Sequence, residues 1–233
     1  MNGPALKRMM GCVGGMRVLD IACGEGYFSR LCAEEGACVT GVDFSERMIN
    51  AAVEEEKRNP FGVEYHVADA SDLSILESGS FDVAFSFMAL MDMEDYESTI
   101  GEASRVLKPG GRFVFAITHP CFESRSLDGA DVCGWETRIL PDGTEHLFLR
   151  TRDYFKRHSD FVEWKKSERI PYGFTTTLFH RTLSDYVNTL LRHGLLVRRI
   201  EEPMPTEEGV VVHPSLAKHR SIPQSIVIES IKL

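Results

Sequence analysis

The feature that most constrains the fold is an alternation of short apolar segments with longer amphipathic ones over residues 16–118. Short apolar runs bounded by glycine or polar residues are typical of buried strands, and a 3.6-residue apolar period is typical of helices. The five predicted strands are 17–21, 38–42, 63–67, 81–86 and 112–117. Successive strand–helix units need right-handed crossovers, so the pattern predicts a parallel sheet with helices on both faces.

The alternation stops at His119-Pro120, after which residues 119–180 contain most of the remaining aromatic side chains. We predict that this segment is an insertion over the carboxyl edge of the sheet, where ligands of open α/β sheets bind. Beyond it, the sequence predicts one more helix and two more strands. The predicted helices are 27–35, 45–57 with Ser45 as N-cap, a short one after Ser71, 94–106 and 184–192, and the last strands are 195–200 and 225–231.

Length and charge set the broad class of the chain. The 233 residues fit a single domain, 1–233, with a ligand-binding core at 16–118 and the insertion at 119–180. The formal charge of −9 and the pI of about 5.4 argue against a nucleic-acid partner, because phosphate binding needs a basic face. No segment has the 18 apolar residues of a membrane span, and no secretory leader is recognisable, so we expect a cytoplasmic protein without membrane contact.

The six cysteines form no CxxC pair and have no histidine cluster at ligand spacing, which favours free thiols and no metal site.

The loop after the first strand carries two glycines, Gly24 and Gly26, which allow a tight turn and a close approach of a ligand to the main chain at Ala22 and Cys23. A dinucleotide fingerprint would place a third glycine where Ser29 stands. Glu25, inside the loop, would repel a pyrophosphate. A cofactor with a sulfonium and an α-ammonium fits this loop better. Asp20 is placed to bind that ammonium, with an equally plausible structural role in capping the loop amides.

An acidic residue, Asp43, ends the second predicted strand 19 residues after Gly24. At this position a carboxylate meets the ribose hydroxyls of an adenosyl ligand. The alternative is an N-cap for the next helix, a role that Ser45 already fills.

The adenine would lie between the next two loops. Asp69 and Ala70 follow the third predicted strand and could read the adenine edge, and Phe87 could supply an apolar wall after the fourth. Phe44 and Met48 could sandwich the ring, although either could be a core residue.

These motifs together resemble those of the class I S-adenosylmethionine-dependent methyltransferases, and most closely the broad type 11 group. Residues 18–26, 41–45, 81–83 and 105–111 match the family's motifs in the right order, within residues 16–118. The resemblance implies a Rossmann-like, mostly parallel seven-stranded α/β sheet of order 3-2-1-4-5-7-6, with strand 7 antiparallel. It also implies methyl transfer from S-adenosylmethionine to a small-molecule acceptor by in-line displacement, with S-adenosylhomocysteine as product.

Family members carry one or two helices before the first motif that close over the cofactor. About 15 residues precede the motif here. The lid is therefore expected to be short, to come from a neighbouring subunit in a homodimer, or to be absent.

The acceptor should arrive at the end of the fifth strand, where His119 could act as a general base. Capping or core packing is the other interpretation of this histidine. Phe122 and Tyr172 are candidate walls of an acceptor pocket, and His180 and Arg181 candidate acceptor contacts, with Arg181 equally suited to a surface ion pair.

Three alternatives remain open from the residues. An RNA base methyltransferase would need a basic insertion, whereas residues 121–180 mix acidic and basic side chains. A regulatory module could bind S-adenosylmethionine without turnover. A nicotinamide-dependent oxidoreductase is disfavoured by Glu25 and Ser29.

Overall fold

The computed structural model describes residues 1–123, 125–127, 130–164 and 174–233. The strands in these ranges are β1 Arg17–Ile21, β2 Cys38–Asp43, β3 Glu64–Val67, β4 Phe81–Phe87, β5 Leu107–Thr118, β6 Arg125–Leu127, β7 Ala130–Ile139, β8 Glu145–Thr151, β9 Ser159–Trp164, β10 Phe174–Phe179, β11 Leu195–Glu201 and β12 Ser225–Lys232. The α-helices are α1 Asn2–Met10, α2 Tyr27–Glu34, α3 Glu46–Arg58, α4 Tyr96–Val106, α5 Leu183–Arg192 and α6 Glu207–Val212, with 3-10 turns at Leu90–Asp92 and Pro214–Arg220.

Seven of these strands form one sheet in the order β3-β2-β1-β4-β5-β12-β11. The first five strands of the chain pair in parallel, and β12 is antiparallel to both of its neighbours, β5 and β11. With β11 and β12 as the sixth and seventh strands, the predicted fold class, strand order and antiparallel seventh strand are confirmed. The insertion follows β5, also as predicted.

The sheet is buried on both faces, as β5 shows. Phe113, Phe115 and Ile117 belong to the hydrophobic cluster on one face, whereas Val114 and Ala116 belong to the cluster on the other. Successive residues of a strand face opposite sides of the sheet. A strand that is buried on both faces therefore has a continuous apolar sequence. This run made the strand recognisable in the sequence. Burying each of the larger side chains of this strand, Phe113, Val114, Phe115 and Ile117, contributes about 1.5–3 kcal/mol.

The helix predicted after Ser71 is wrong, because the chain forms turns there. The Asp69 carboxylate accepts hydrogen bonds from the amide and hydroxyl of Ser71, at 2.8 and 2.7 Å. Asp72 accepts from the Ser74 amide at 3.1 Å. Such local side-chain acceptors compete with helical hydrogen bonds and favour turns. The Arg105 guanidinium then holds the segment through the carbonyls of Leu73 and Leu76.

Helix α1, which the sequence analysis did not predict, packs its buried residues Ala5, Leu6, Met9 and Met10 against the sheet. Only its first turn reaches the carboxyl edge. There the Asn2 amide lies 3.5 Å from the Met88 sulfur, and Asn2 accepts a hydrogen bond from Ser225 at 2.6 Å. The helix is therefore mainly a core element.

The other end of α1 is tied to the sheet through a buried carboxylate, Glu229 on β12, which is 2% exposed. Its oxygens lie 3.2 Å from Arg112 and 3.4 Å from Arg199. The same two guanidinium groups donate to the last carbonyls of α1, at Met10 and Met9, over 2.8 and 3.0 Å. This Glu229 network joins three strands to the helix terminus and satisfies carbonyls that helix geometry leaves unpaired.

The insertion forms a three-stranded sheet, β6-β7-β8, and a hairpin, β9-β10. Val162 of β9 and Leu178 of β10 join the main core, and β10 contacts the turn at Leu90–Asp92. The hairpin therefore covers the segment that follows β4. Within the described parts of the chain, every helix is too short or too polar to cross a membrane.

Candidate cofactor and acceptor site

A cavity of about 550 Å³ opens at the carboxyl edge of the sheet. Its walls come from the loops after β1, β2, β3 and β4, from Thr99 of α4 and from Thr176 of β10. Cavities of about 300–1,000 Å³ are typical of small-molecule sites. The lining residues are Ala22, Asp43, Phe44, Ala68, Asp69, Ala70, Ser71, Phe87, Met88, Ala89, Asp92, Met93, Glu94, Asp95, Thr99 and Thr176.

The two glycines of the first loop serve different purposes. Both have left-handed backbones, with φ of 56° at Gly24 and 78° at Gly26. A Cβ built on Gly26 would lie 2.2 Å from the Tyr65 hydroxyl, whereas one built on Gly24 would meet nothing within 4 Å. Gly26 therefore makes room for a side chain of this protein, and Gly24 leaves open space in which a ligand can approach the main chain.

Two non-glycine residues of the cavity wall also have positive φ angles: Ala22 with 60° and Met88 with 53°. Each directly follows a strand, β1 or β4. A left-handed backbone costs an L-residue about 1–2 kcal/mol, and such strain concentrates at functional sites.

The Asp43 carboxylate links the first two loops. One oxygen accepts the Gly24 amide and the other the Ser45 amide, each at 2.9 Å. A carboxylate oxygen has a second lone pair, so each can still accept a ligand hydroxyl. Asp43 thus orders the glycine loop and lines the cavity, but it does not cap α3, and its ribose contact stays a prediction. Ser45 caps α3, as predicted.

Asp20 is 2% exposed at the end of β1 and accepts a hydrogen bond from Ser29 at 2.6 Å. Burial raises the pKa of its carboxyl group to about 7, the Ser29 hydrogen bond opposes this shift, and the nearby Asp43 adds to it. Ser29, where a dinucleotide fingerprint has glycine, is therefore a partner of Asp20. A cation bound nearby would favour the ionised form of this acid.

We expect the affinity for S-adenosylmethionine to rise with pH between about 5 and 7 and to level off above 7. In the free protein Asp20 is protonated below its pKa of about 7. A cationic ligand binds the ionised carboxylate and so displaces that proton. The affinity for S-adenosylmethionine therefore rises by at most about tenfold for each pH unit of increase. Calorimetry from pH 5 to 8 measures this, and Asp20→Asn should flatten the profile. A wild-type affinity independent of pH would contradict the ammonium role of Asp20.

The predicted residues after β3 and β4 also line the cavity. Asp69, Ala70 and Phe87 are wall residues, as is Phe44, whose side chain is 79% exposed. Phe87 packs on Phe28 of α2, with ring centroids 4.4 Å apart. An exposed aromatic ring at a cavity is suited to stacking on a flat ligand.

Several predicted residues lie away from the cavity wall. Met48 is a partly buried residue of α3 whose amide donates to the Ser45 cap. Cys23 donates its thiol to the Gly24 carbonyl at 3.7 Å, and burial raises its thiol pKa above the usual value. We therefore assign Met48 and Cys23 structural roles. Tyr172 lies outside the described residues.

His119 is 3% exposed, and both of its ring nitrogens are engaged. Nδ1 accepts the Cys121 amide at 3.2 Å, which places the proton on Nε2, 2.8 Å from Glu202. Burial lowers the pKa of His119, and the Glu202 carboxylate opposes that shift. Phe122 packs on the His119 ring, with centroids 4.6 Å apart. Neither residue lines the cavity, so the catalytic role of His119 and the acceptor role of Phe122 stay predictions.

The two candidates after the insertion are also buried. His180 lies with Nε2 2.7 Å from the Tyr154 carbonyl, and its ring packs on His158. Arg181 donates to the carbonyls of Met93 and, at 2.9 Å, Glu94. The Arg181 guanidinium therefore holds the loop after β4 in place of a surface ion pair, and the acceptor contacts of His180 and Arg181 stay predictions.

Four residues of this site were missed by the sequence analysis: Tyr65, Asp92, Thr176 and Glu202. Tyr65 fills the space that Gly26 leaves, and a Cβ on Gly41 would also lie 2.8 Å from its ring. Tyr65 and Glu202 make contacts distant in the chain, and Asp92 and Thr176 reach the cavity only through the tertiary fold. A local motif gives no signal of such contacts.

The charge of the cavity tests the predicted cofactor. Its described lining includes five acidic residues and no lysine, arginine or histidine; the acidic ones are Asp43, Asp69, Asp92, Glu94 and Asp95. A pyrophosphate would be repelled there, whereas a sulfonium with an ammonium group is attracted. The open space at Gly24 and the free lone pairs of Asp43 fit an adenosyl ligand as well.

Comparisons with known proteins agree with this geometry. Residues 19–115 match the family model described as a methyltransferase domain. A solved S-adenosylmethionine-dependent methyltransferase from Mesorhizobium loti is 30% identical, with 98% of this chain and 96% of that one covered and a TM-score of 0.78. A Listeria monocytogenes structure described as a putative enzyme of the same kind is 25% identical, covers 100% of this chain and 96% of that one, and has a TM-score of 0.78.

A curated relative, a ubiquinone biosynthesis O-methyltransferase from Xanthomonas oryzae pv. oryzae, is 29% identical over 67% of this chain. The match spans 63% of that relative's length.

The fold defines a Rossmann-like protein whose acidic cavity at the carboxyl edge of the sheet is suited to a positively charged adenosyl ligand. The chain belongs to the S-adenosylmethionine-dependent methyltransferases, as the resemblance predicted. S-adenosylmethionine, the predicted cofactor, is the methyl donor of this family.

Proposed function

We propose that the protein transfers a methyl group from S-adenosylmethionine to a small-molecule acceptor by in-line displacement. The main support for this proposal is the acidic cavity beside Gly24. The Gly24 amide donates a 2.9 Å hydrogen bond to Asp43, which lines that cavity. When bound, the cofactor supplies an electrophilic methyl group. The protein binds the two reactants, orients them and excludes water. Alignment of the acceptor with the methyl group alone lowers the barrier to such a displacement by several kcal/mol.

Each binding residue would contact a different part of the cofactor, according to its position along the sheet. Asp43 would hold the ribose hydroxyls, and the loop 22–26 would place its main chain beside the methionine part. Asp20 would balance the ammonium. Asp69 and Ala70 would meet the adenine edge, with Phe44 and Phe87 against its faces.

A small acceptor is supported by the size of the cavity, about 550 Å³, which must hold both reactants. The O-methyltransferase name of the curated relatives supports a hydroxyl as the accepting group. The net charge of −9 supports neither an RNA acceptor nor a nucleic-acid partner.

We propose further that residues 1–233 act as one domain in the cytoplasm, with residues 119–180 covering the acceptor. A homodimer stays a prediction.

Asp43→Ala tests the cofactor site. We expect S-adenosylmethionine to bind at least tenfold more weakly, because the ribose loses a charged acceptor and the Gly24 amide loses its partner. Charge-assisted hydrogen bonds contribute about 1.5–3 kcal/mol. Calorimetry measures the affinity, and Asp72→Ala, which removes an exposed carboxylate outside the cavity, is the matched control. Unchanged affinity in Asp43→Ala would refute the ribose role and, with it, the proposed cofactor placement.

A further inference from the structure

Asp92 is an ionisable residue of the cavity wall to which the cofactor assignment gives no role. It ends the 3-10 turn that follows β4, where its amide donates to the Ala89 carbonyl at 2.8 Å. Its neighbours Leu90 and Met91 are buried in the core, whereas Asp92 is partly exposed and lines the cavity. The turn thus anchors its apolar side chains in the core and presents one carboxylate to the ligand space.

The Asp92 carboxylate makes no hydrogen bond or ion pair with any described residue. The other acidic wall residues of the first loops are engaged, Asp43 by two amides and Asp69 by Ser71. Asp95 caps α4 by accepting the Ser98 amide at 3.0 Å. A partly buried carboxylate without a protein partner costs free energy unless a ligand supplies one.

The backbone around Asp92 is held rigidly by Arg181. This guanidinium donates to the carbonyls of Met91, Met93 and Glu94, on both sides of Asp92, and lies 4.1 Å from the centre of the Tyr96 ring. These bonds go to main-chain carbonyls, and none goes to the Asp92 carboxylate. Arg181 is therefore a positioning residue that fixes the carboxylate without neutralising it through a direct contact.

The charged groups around Asp92 come from several elements. Glu94 and Asp95 share its loop, Asp43 and Asp69 lie across the same cavity, and Arg181 is the cation in range. Burial raises the pKa of Asp92 to about 6, and the Arg181 charge opposes this shift. A base with a pKa close to the working pH is suited to proton transfer.

Resting on the proposed methyl transfer, we propose that Asp92 is a catalytic residue that accepts the proton of the acceptor's nucleophilic O–H or N–H group. The acceptor's oxygen or nitrogen forms a bond to the methyl carbon while its proton passes to the Asp92 carboxylate. The carbon–sulfur bond breaks, its electron pair stays on sulfur, and the sulfonium becomes a neutral thioether. The proton later leaves Asp92 to water.

The same walls define the class of acceptor. The described lining contains five carboxyl groups and no basic side chain, so an anionic acceptor would be repelled and have no cationic partner. The acceptor is a neutral or cationic molecule that donates a hydrogen bond to Asp92. His119, whose two nitrogens are engaged outside this wall, is not needed for that step.

The test uses the full-length protein saturated with S-adenosylhomocysteine and three small probes: catechol, benzylamine and benzoate. Calorimetry from pH 5 to 8 measures the binding of each probe, and tritiated S-adenosylmethionine measures methyl transfer. We expect catechol or benzylamine to bind at least tenfold more tightly than benzoate, with affinity rising with pH through about 6. Asp92→Asn should weaken that binding at least tenfold, remove the rise and lower any transfer at least tenfold.

Glu97→Gln, which removes one negative charge from an exposed position of α4, is the matched control and should leave probe binding unchanged. Affinity for S-adenosylhomocysteine should stay within twofold in both variants, which shows that each is folded. Equal binding of benzoate, unchanged probe binding in Asp92→Asn, or no binding of either donor probe to wild-type protein would overturn the proposal. If S-adenosylhomocysteine itself fails to bind, the proposed function fails as well.

Discussion

Gly26→Ala is expected to lower the free energy of unfolding by about 3–4 kcal/mol. The added Cβ would lie 2.2 Å from the Tyr65 hydroxyl and 2.7 Å from its ring carbon Cζ, far inside van der Waals contact. The φ of 78° adds the cost of a left-handed backbone. Overpacking costs about 1–3 kcal/mol and the left-handed conformation about 1–2 kcal/mol. Urea denaturation followed by circular dichroism measures the loss.

Gly24→Ala is the matched control for this variant. It has the same chemistry and a similar φ of 56°, but its Cβ would meet nothing within 4 Å. Only the backbone term of about 1–2 kcal/mol should remain. The double variant Gly26→Ala/Tyr65→Ala should lose less stability than the sum of the two single variants, since the clash is then absent. Equal stabilities of Gly24→Ala and Gly26→Ala would show that Tyr65 does not impose the glycine.

The second large effect is expected for Glu229→Ala, which should lower the free energy of unfolding by about 3 kcal/mol. Removing a buried partner from an ion network typically costs about 3–5 kcal/mol; we expect the lower end because Arg198 and Arg199 have side chains 59% and 51% exposed. The loss should extend to α1, because Arg112 and Arg199 then lose the carboxylate that orients them toward its carbonyls. Hydrogen exchange of α1 amides, with urea denaturation, measures both effects.

Glu201→Ala serves as the control for that variant, because it breaks an exposed pair with Arg8. Exposed ion pairs contribute about 0–1 kcal/mol, so little change is expected. If the two variants lose equal stability, the Glu229 network does not fasten the helix.

The parts of the fold that the sequence predicted are those determined by local pattern. The run at β5 is apolar on both faces, and Ser45 precedes α3 directly, so both could be placed from a few neighbouring residues. Asp43 and the Gly24 loop were both placed at the carboxyl edge, where adjacent parallel strands end, but the hydrogen bond between them was not predicted.

The missed parts depend on contacts across the chain. Helix α1 has no side-chain hydrogen bond at its N-cap and is followed by Gly11, Gly14 and Gly15, so its sequence resembles that of a loop. Arg181 carries no local sign that it bonds to carbonyls about 90 residues earlier. The strand β8 has most of its residues exposed, which leaves no apolar alternation to detect.

The clamp made by Arg181 has an evolutionary consequence. The glycine loop and its hydrogen bond to Asp43 depend on contacts among residues 20–65, whereas the loop that carries Asp92 is held by Arg181, the first residue after the insertion. We therefore expect substitutions at Arg181 and in the adjoining residues 119–180 to change the choice of acceptor more than the affinity for the methyl donor. Related enzymes with different acceptors are expected to differ most in this segment.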